Sequence, residues 1–152
     1  MSKKPFIVFG IFAAICVLVL PFVALGKEGN EDAGTVEVAS ADRGAQELVN
    51  TNCGTCHTLA AAGIDGVVGP NLDELLVPSG TNSAQLYKGN YSRVLQALSC
   101  GVGGRMPKGI LQGDEATEAA AFVAAYAGQI GKGPVVDLQS VSKPAPAPCP
   151  AS

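Results

Sequence analysis

Five consecutive residues, Cys53-Gly54-Thr55-Cys56-His57, combine two thiols and an imidazole at a spacing that suits one kind of covalent chemistry. Two cysteines separated by two residues can add to the two vinyl groups at one edge of a haem, and a histidine directly after the second cysteine then lies under the iron. The spacing therefore predicts that Cys53 and Cys56 hold a haem c through thioether bonds and that His57 is an axial ligand of its iron.

The same two cysteines could instead form a redox pair or half of a zinc site. A zinc site needs further ligands at matched spacing, but the chain has no second C-x-x-C pair, and His57 is its only histidine. A thioredoxin-like pair needs no histidine in the next position and usually lies in a βαβ context, which the sequence lacks. Haem attachment is therefore favoured over both alternatives, and one motif predicts one covalent haem.

A single histidine leaves the second axial position of the iron to another residue type. Met106 is the only methionine besides the initiator, and it lies in Gly103-Gly104-Arg105-Met106-Pro107-Lys108-Gly109. A methionine that fills a core normally belongs to a helical apolar stripe, whereas this segment has the glycines and the proline of a loop. The sequence therefore predicts that Met106 is the second axial ligand, with core filler as the alternative.

With these motifs, residues 40–128 resemble the class I cytochromes c. The resemblance rests on the C-x-x-C-H motif, on Val68-Gly69-Pro70-Asn71-Leu72, which is similar to the G-P-N-L segment of the family, on Met106-Pro107, and on a last helix that ends at Tyr126. In the family, the proline carbonyl of the G-P-N-L segment accepts a hydrogen bond from the axial histidine. The resemblance thus implies that Pro70 orients His57.

The resemblance also defines the expected fold. We expect an all-α, cytochrome c-like small domain around one covalent haem, preceded by a single N-terminal transmembrane helix, since no strand pattern is evident. In the family, the first and last helices cross closely at a glycine, which here implies contact between Gly44 and Tyr126. The expected organisation is a membrane anchor at 1–26, a flexible acidic tether at 27–39, the haem domain at 40–130 and a Pro-rich extended tail at 131–152.

Residues 5–26 form a run of 22 residues without a charged side chain, preceded by Lys3 and Lys4. A membrane span needs about 20 apolar residues, whereas the apolar part of a cleaved signal peptide needs only about 7–15. We expect a retained single-pass anchor in the cell membrane, with the N-terminus in the cytoplasm and the haem domain on the extracytoplasmic side. Cleavage near Ala24 is the alternative, and Cys16 is expected to be a free thiol within the run.

After residue 26 the chain carries eight basic and thirteen acidic residues, a net charge of −5. This acidic balance argues against a nucleic-acid-binding surface. Arg105 and Lys108 make the surroundings of Met106 locally positive, so we expect this surface to dock redox partners beside an exposed haem edge. The alternative is that both are solvated surface charges.

Two cysteines, Cys100 and Cys149, remain outside the haem motif and the apolar run. In an oxidising compartment such a pair tends to become a disulfide. We expect a Cys100–Cys149 bond that closes a loop of about 50 residues, for which the chain-entropy model gives roughly 4 kcal/mol, and that holds the tail beside the Met106 loop. The alternatives are two free thiols and pairing of Cys149 with another chain.

An iron with histidine on one face and methionine on the other has no open position, so it suits outer-sphere electron transfer. By its resemblance, the chain is expected to be an electron carrier rather than an enzyme. It would take electrons from a quinol-oxidising cytochrome bc-type complex and pass them to a terminal oxidase of a respiratory chain. One alternative is a fixed cytochrome c subunit of a larger respiratory complex, and another is a haem enzyme with an open iron, which would apply if Met106 did not bind.

Overall fold

Helices and one short hairpin form the part of the chain that contains the haem motif. The computed structural model describes residues 15, 17, 36–76 and 83–149. The chain divides into two units, Met1–Asp32 and Ala33–Ser152, and the second contains every element described below. In chain order these are a 3-10 turn at Ser40–Asp42, helix α1 (Arg43–Cys53), strand β1 (Thr58–Leu59), a 3-10 turn at Ala60–Ala62, strand β2 (Ile64–Asp65), and helices α2 (Leu72–Leu75), α3 (Ser83–Cys100) and α4 (Gly113–Tyr126).

The all-α prediction is wrong, because β1 and β2 form a two-stranded antiparallel sheet. Thr58 pairs with Asp65, and Leu59 pairs with Ile64. The turn between the strands ends at Gly63, whose φ of 65° lies in the left-handed region that glycine adopts readily. Strands of two residues are too short to show the alternation by which a strand is recognised in a sequence.

The predicted N-terminal transmembrane helix is also without support. Within the described ranges, no helix has both the length and the apolar content that crossing a membrane requires. The longest helix of the second unit, α3, has charged side chains on its exposed face. The prediction of a single-pass protein in the cell membrane is therefore not supported by the described residues. Of the predicted anchor at 1–26, the structure describes only Ile15 and Val17. Of the predicted tether at 27–39, it describes only residues 36–39.

Helix α3 is longer than its apolar pattern predicts. The sequence predicts a helix over residues 91–99, whereas the helix begins at Ser83. Its buried side chains recur every three or four residues and so form one face, which consists of Tyr87, Tyr91, Leu95 and Leu98. The rings of Tyr87 and Tyr91 stack with their centroids 5.8 Å apart. Helix α3 packs against α4.

Helix α4 is the central element of the core. Every residue from 119 to 126 is buried, and both α1 and α3 pack against this helix. Five of these eight residues are alanines, which favour the helix and allow neighbouring helices to approach closely. The two aromatic side chains on the helix, Phe122 and Tyr126, stack with a centroid distance of 4.7 Å.

The start of α1 is joined to α4 through a buried carboxylate. Gly44 is exposed, and a Cβ there would have no heavy atom within 4 Å, so packing does not require a glycine at this position. The hydroxyl of Tyr126 donates to Oδ2 of Asp42 (2.8 Å) and accepts from the amide of Ala39 (3.1 Å). Gln139 donates to Oδ1 of Asp42 at 3.2 Å. One carboxylate thus joins the start of α1, the end of α4 and the following segment.

The segment after α4 has an anchored first half and an exposed second half. A backbone hydrogen bond ties it to α4, and Leu138 is buried in the core. Residues 142–149 are exposed. Within them, the carbonyl of Pro144 accepts a hydrogen bond from the hydroxyl of Tyr91 at 2.8 Å, and Cys149 forms a disulfide.

Candidate haem-binding site

The C-x-x-C-H motif forms the turn that closes helix α1, because Cys53 is the last residue of the helix. The amides of Cys56 and His57 both donate to the carbonyl of Cys53, at 3.1 and 2.9 Å. Cys53 and Cys56 are free thiols, and both are half-buried. Residues three apart in a helical turn are neighbours, as two thioether bonds to one haem edge require.

Burial, followed by the neighbouring Cys56, raises the pKa of the Cys53 thiol above its ordinary value. The thiolate is the form that binds zinc and attacks disulfides, so a raised pKa opposes both of those roles at neutral pH. In the residues that the structure describes, no group of three or more His, Cys, Asp or Glu side chains is placed to hold a metal ion. The surroundings of the motif therefore do not favour a zinc site.

The imidazole of His57 is oriented by a backbone carbonyl. Its Nδ1 lies 2.9 Å from the carbonyl oxygen of Pro70. A carbonyl oxygen only accepts hydrogen bonds, so Nδ1 carries the proton and Nε2 keeps its lone pair. This bond fixes both the tautomer and the ring orientation, and Nε2 is the nitrogen that can bind an iron.

The loop between β2 and α2 packs directly on the haem motif. The amide of Gly66 donates to the carbonyl of His57 at 3.0 Å, and the amide of Gly69 donates to the carbonyl of Cys56 at 2.6 Å. A Cβ on Gly69 would lie 2.5 Å from Cε1 and 2.7 Å from Nδ1 of His57. The backbone approaches the imidazole so closely that only glycine fits.

Helix α2 fixes the far end of this loop through residues that the sequence interpretation did not identify. The side chain of Asn71 accepts a hydrogen bond from the amide of Asp73 at 2.9 Å, as a helix N-cap does. The buried carboxylate of Asp73 accepts from the amides of Ala60 (2.7 Å) and Gly128 (2.8 Å). The N-cap signal of Asn71 could have been recognised in the sequence, but the distant partner Gly128 could not.

Met106 lies in a separate loop between α3 and α4. Its amide donates to the carbonyl of Val102, and the amide of Val102 donates to the carbonyl of Met106, both at 3.2 Å. Gly103 and Gly104 at the tip have φ values of 55° and 70°. The side chain of Met106 is half-buried and packs against the same core as Cys53. The structure thus places Met106 in a hydrogen-bonded loop beside the core that also borders the haem motif.

A disulfide holds the tail beside the Met106 loop. Cys100, the last residue of α3, is bonded to Cys149, and their Cα atoms are 5.5 Å apart. Pro146 of the tail and Lys108 of the Met106 loop line a common cavity of about 480 Å³. The tail is therefore attached at the base of the loop.

The Met106 loop exposes positive charge, and the loop between β2 and α2 exposes apolar side chains. Arg105 and Lys108 are exposed on either side of Met106. Val67 and Val68, in the loop that packs on the histidine, are 89% and 81% exposed. The two cations were identified from the sequence; the two valines were not, because valine alone indicates a core position rather than a surface.

Comparisons with known proteins find similarity to solved structures. No protein-family model matches the chain, and no curated protein matches it. The c-type cytochrome SorU from Sinorhizobium meliloti aligns with 61% of this chain and with 94% of its own, at 33% sequence identity and a TM-score of 0.45.

Proposed function

We propose that this chain is a c-type cytochrome that carries one covalent haem and transfers single electrons. The observation that carries the proposal is the hydrogen bond from Nδ1 of His57 to the carbonyl of Pro70, beside the free thiols of Cys53 and Cys56. An imidazole oriented in this way presents Nε2 to an iron, and two thiols at this spacing suit one haem edge.

The residues present fit a haem c. Cys53 and Cys56 would hold one edge of it, and His57 and Met106 would bind its iron. When bound, a haem c supplies a ferric–ferrous couple that accepts and releases one electron. Pro70 keeps the His57 ring from rotating, since its carbonyl holds Nδ1 at 2.9 Å.

Electron transfer is favoured over catalysis by the surroundings of the two ligands. A thioether from Met106 would fill the position at which oxygen or peroxide would otherwise bind. Backbone hydrogen bonds to Cys56 and Val102 hold the two ligand loops, so little movement is needed between the two oxidation states. The soft sulfur ligand and the apolar surroundings both favour the reduced state and therefore a higher reduction potential.

The partners that we propose are a quinol-oxidising cytochrome bc-type complex as donor and a terminal oxidase as acceptor. Arg105 and Lys108 give the Met106 loop a positive surface that suits an acidic partner face. The exposed Val67 and Val68 add apolar area beside the haem motif. A chain that remains attached to a larger complex during purification would instead be a fixed subunit of that complex.

The full chain, produced in a host with a haem c maturation system, tests haem attachment. We expect its mass under denaturing conditions to exceed the mass of the polypeptide by one haem, with a pyridine haemochrome spectrum typical of two thioether bonds. A Cys53→Ala, Cys56→Ala double variant should lose the covalent haem. The Cys100→Ser, Cys149→Ser double variant replaces the same number of cysteines and should keep the haem. A wild-type chain without haem would contradict the proposal.

Carbon monoxide separates the carrier from a haem enzyme. The reduced wild-type protein should not bind carbon monoxide if Met106 occupies the iron, and it should exchange electrons rapidly with a soluble redox dye. Tight binding of carbon monoxide to the wild-type protein would support the alternative of an enzyme with an open iron.

A further inference from the structure

Two segments beside the haem motif lie in parallel register and are joined by three connections, in each of which the residue numbers differ by 13. We call these connections the register ladder: His57 with Pro70, Thr58 with Asn71, and Ala60 with Asp73. A constant offset means that all three depend on one alignment, because a shift of one segment by a single residue would break them together. The hydrogen bond that orients His57 therefore belongs to a larger set.

Asp73 closes the register ladder with its side chain. This side chain is buried, and its Oδ2 accepts from the amide of Ala60 at 2.7 Å. A buried carboxylate is stable only when donors compensate its charge, and a hydrogen bond to a carboxylate is stronger than one between neutral groups. The connection between Ala60 and Asp73 therefore resists a change of register more strongly than a bond between two backbone groups would.

The second oxygen of the same carboxylate attaches the register ladder to the core. Oδ1 of Asp73 accepts from the amide of Gly128 at 2.8 Å, and Gly128 lies just beyond the end of helix α4. Residues 119–126 of that helix are all buried. One side chain thus fixes both the register of the two segments and their position relative to α4.

The peptide that carries the Pro70 carbonyl needs such an attachment on its C-terminal side. Helix α2, which follows it, has only four residues, and a single helical turn takes its position from tertiary contacts. On the N-terminal side, the amide of Gly69 binds the haem motif. On the C-terminal side, the amide of Asp73 donates to the side chain of Asn71. The Pro70 carbonyl is therefore held between Gly69 and Asp73.

We infer that Asp73 is a positioning residue for His57, whose carboxylate holds the register in which the Pro70 carbonyl accepts from Nδ1. The inference rests on the proposed haem attachment. An imidazole that donates to a carbonyl is a more basic ligand and stabilises ferric iron, so a weaker bond should raise the reduction potential. A general loosening that admits water to the haem would lower it. The sign of the change separates positioning from a purely structural role.

The test compares Asp73→Asn with Asp42→Asn in the full, haem-loaded chain. Asparagine keeps the shape of aspartate but has one acceptor oxygen, so it cannot accept from both amides. Asp42 is the matched control, because it is buried to the same degree (5% against 6% exposed) and also joins the end of α4, through Tyr126, but lies outside the register ladder. His57 is the only histidine, so ¹⁵N-labelled histidine gives the signal of one ring in the reduced protein.

The exchange of the Nδ1 proton with solvent reports the hydrogen bond to Pro70. We expect slow exchange in the wild-type protein and exchange roughly tenfold faster in Asp73→Asn, as the loss of a hydrogen bond to a charged group predicts. The reduction potential of Asp73→Asn should rise. Asp42→Asn should leave both quantities at their wild-type values even where it lowers stability. Unchanged exchange or a lower potential in Asp73→Asn would overturn the inference, as would equal changes in the control.

Ala60→Pro removes the same connection from the donor side, which keeps the test decisive if Asp73→Asn does not fold. Ala60 is the first residue of its 3-10 turn, where the φ of proline fits, and Leu59 before it is extended, with φ −155° and ψ 111°. Exchange of the ring proton should accelerate here as well. Wild-type exchange in a haem-loaded Ala60→Pro protein would overturn the role of Asp73 and leave haem attachment intact. A chain without covalent haem would overturn both.

Discussion

The backbone of Gly69 lies against the face of the His57 imidazole, so closely that a Cβ on residue 69 would be 2.5 Å from Cε1. Gly69→Ala should therefore displace the ring and weaken its hydrogen bond to Pro70, lowering the free energy of unfolding by about 1–3 kcal/mol. Denaturant unfolding measures the loss, and the ferric absorption spectrum reports the displaced ligand.

Gly44→Ala is the matched control for this variant, because a Cβ on Gly44 meets no heavy atom within 4 Å. Gly44 lies inside helix α1, where alanine is favoured over glycine by up to about 1 kcal/mol. The control should thus be as stable as the wild-type protein or more so, with an unchanged spectrum. Equal effects of the two substitutions would contradict the assigned role of Gly69.

Met106→Ala should open the iron to external ligands. Removal of the thioether leaves one axial position free, so carbon monoxide and cyanide should bind and the reduction potential should fall. Val102→Ala is a suitable control, since Val102 belongs to the same loop and is 54% exposed. An unchanged ferric spectrum in Met106→Ala would show that Met106 is core filler rather than a ligand.

The stability of the protein should fall between about pH 10 and pH 12. Burial raises the pKa of Tyr126 to about 12, with the hydrogen bond and charge of Asp42 acting in the same direction and the amide of Ala39 opposing. Tyrosine in the unfolded chain loses its proton near pH 10, so in this range the folded chain binds more protons and stability decreases as pH rises.

Each tyrosine that behaves in this way contributes a slope of about 1.4 kcal/mol per pH unit. Tyr126→Phe should reduce the slope by that amount, and it should also lower stability at neutral pH because Asp42 loses a donor. Unfolding curves at several alkaline pH values measure both effects. A slope identical to that of the wild-type protein would exclude Tyr126 as its source.

Reduction of the Cys100–Cys149 disulfide should destabilise the protein by about 2–5 kcal/mol. Thioether bonds resist dithiols, so the haem attachment would remain intact in this experiment. Without the bond, residues 142–149 are held mainly through Pro144, and Tyr91 risks losing its acceptor. Unfolding with and without dithiothreitol measures the effect, and a non-reduced digest should contain a peptide linking Cys100 to Cys149. Two free thiols or a Cys149–Cys149 dimer would refute the bond.

Reversal of the charges beside Met106 should slow electron transfer to an acidic partner. Arg105→Glu with Lys108→Glu should reduce the second-order rate at low ionic strength, and the difference should shrink as salt screens the charges. Lys88→Glu with Arg93→Glu changes the net charge equally on the exposed face of α3 and should have a smaller effect. Similar rates for the two double variants would indicate that partners dock on surfaces other than the Met106 loop.

Features that depend on consecutive residues could be predicted, whereas those that depend on distant contacts could not. The haem motif was evident because five adjacent residues form one turn at the end of α1. The role of Asp42 was not, because its partner Tyr126 lies 84 residues away. The hydrogen bond between Asp73 and Gly128, which are 55 residues apart, could not be predicted for the same reason. Nothing in local sequence indicates which helix ends will meet.

Helix α3 illustrates a different limit. Its first half contains Gly89 and Asn90, which have low helix propensity, and therefore resembles a turn. Burial of Tyr87 and Tyr91 on one face, against the core, stabilises the helix in spite of those residues. Local propensity thus predicted the wrong start because tertiary packing determines it.

The disulfide encloses the whole of α4 and the Met106 loop in a closed covalent ring, since it joins Cys100 to Cys149. A single proteolytic cut anywhere between these two cysteines therefore releases no fragment. A nick in the glycine-rich tip of the Met106 loop would leave both new ends attached to one molecule. The proposed methionine ligand would then remain tethered to the haem motif, so backbone cleavage at this loop need not dissociate the ligand from the protein.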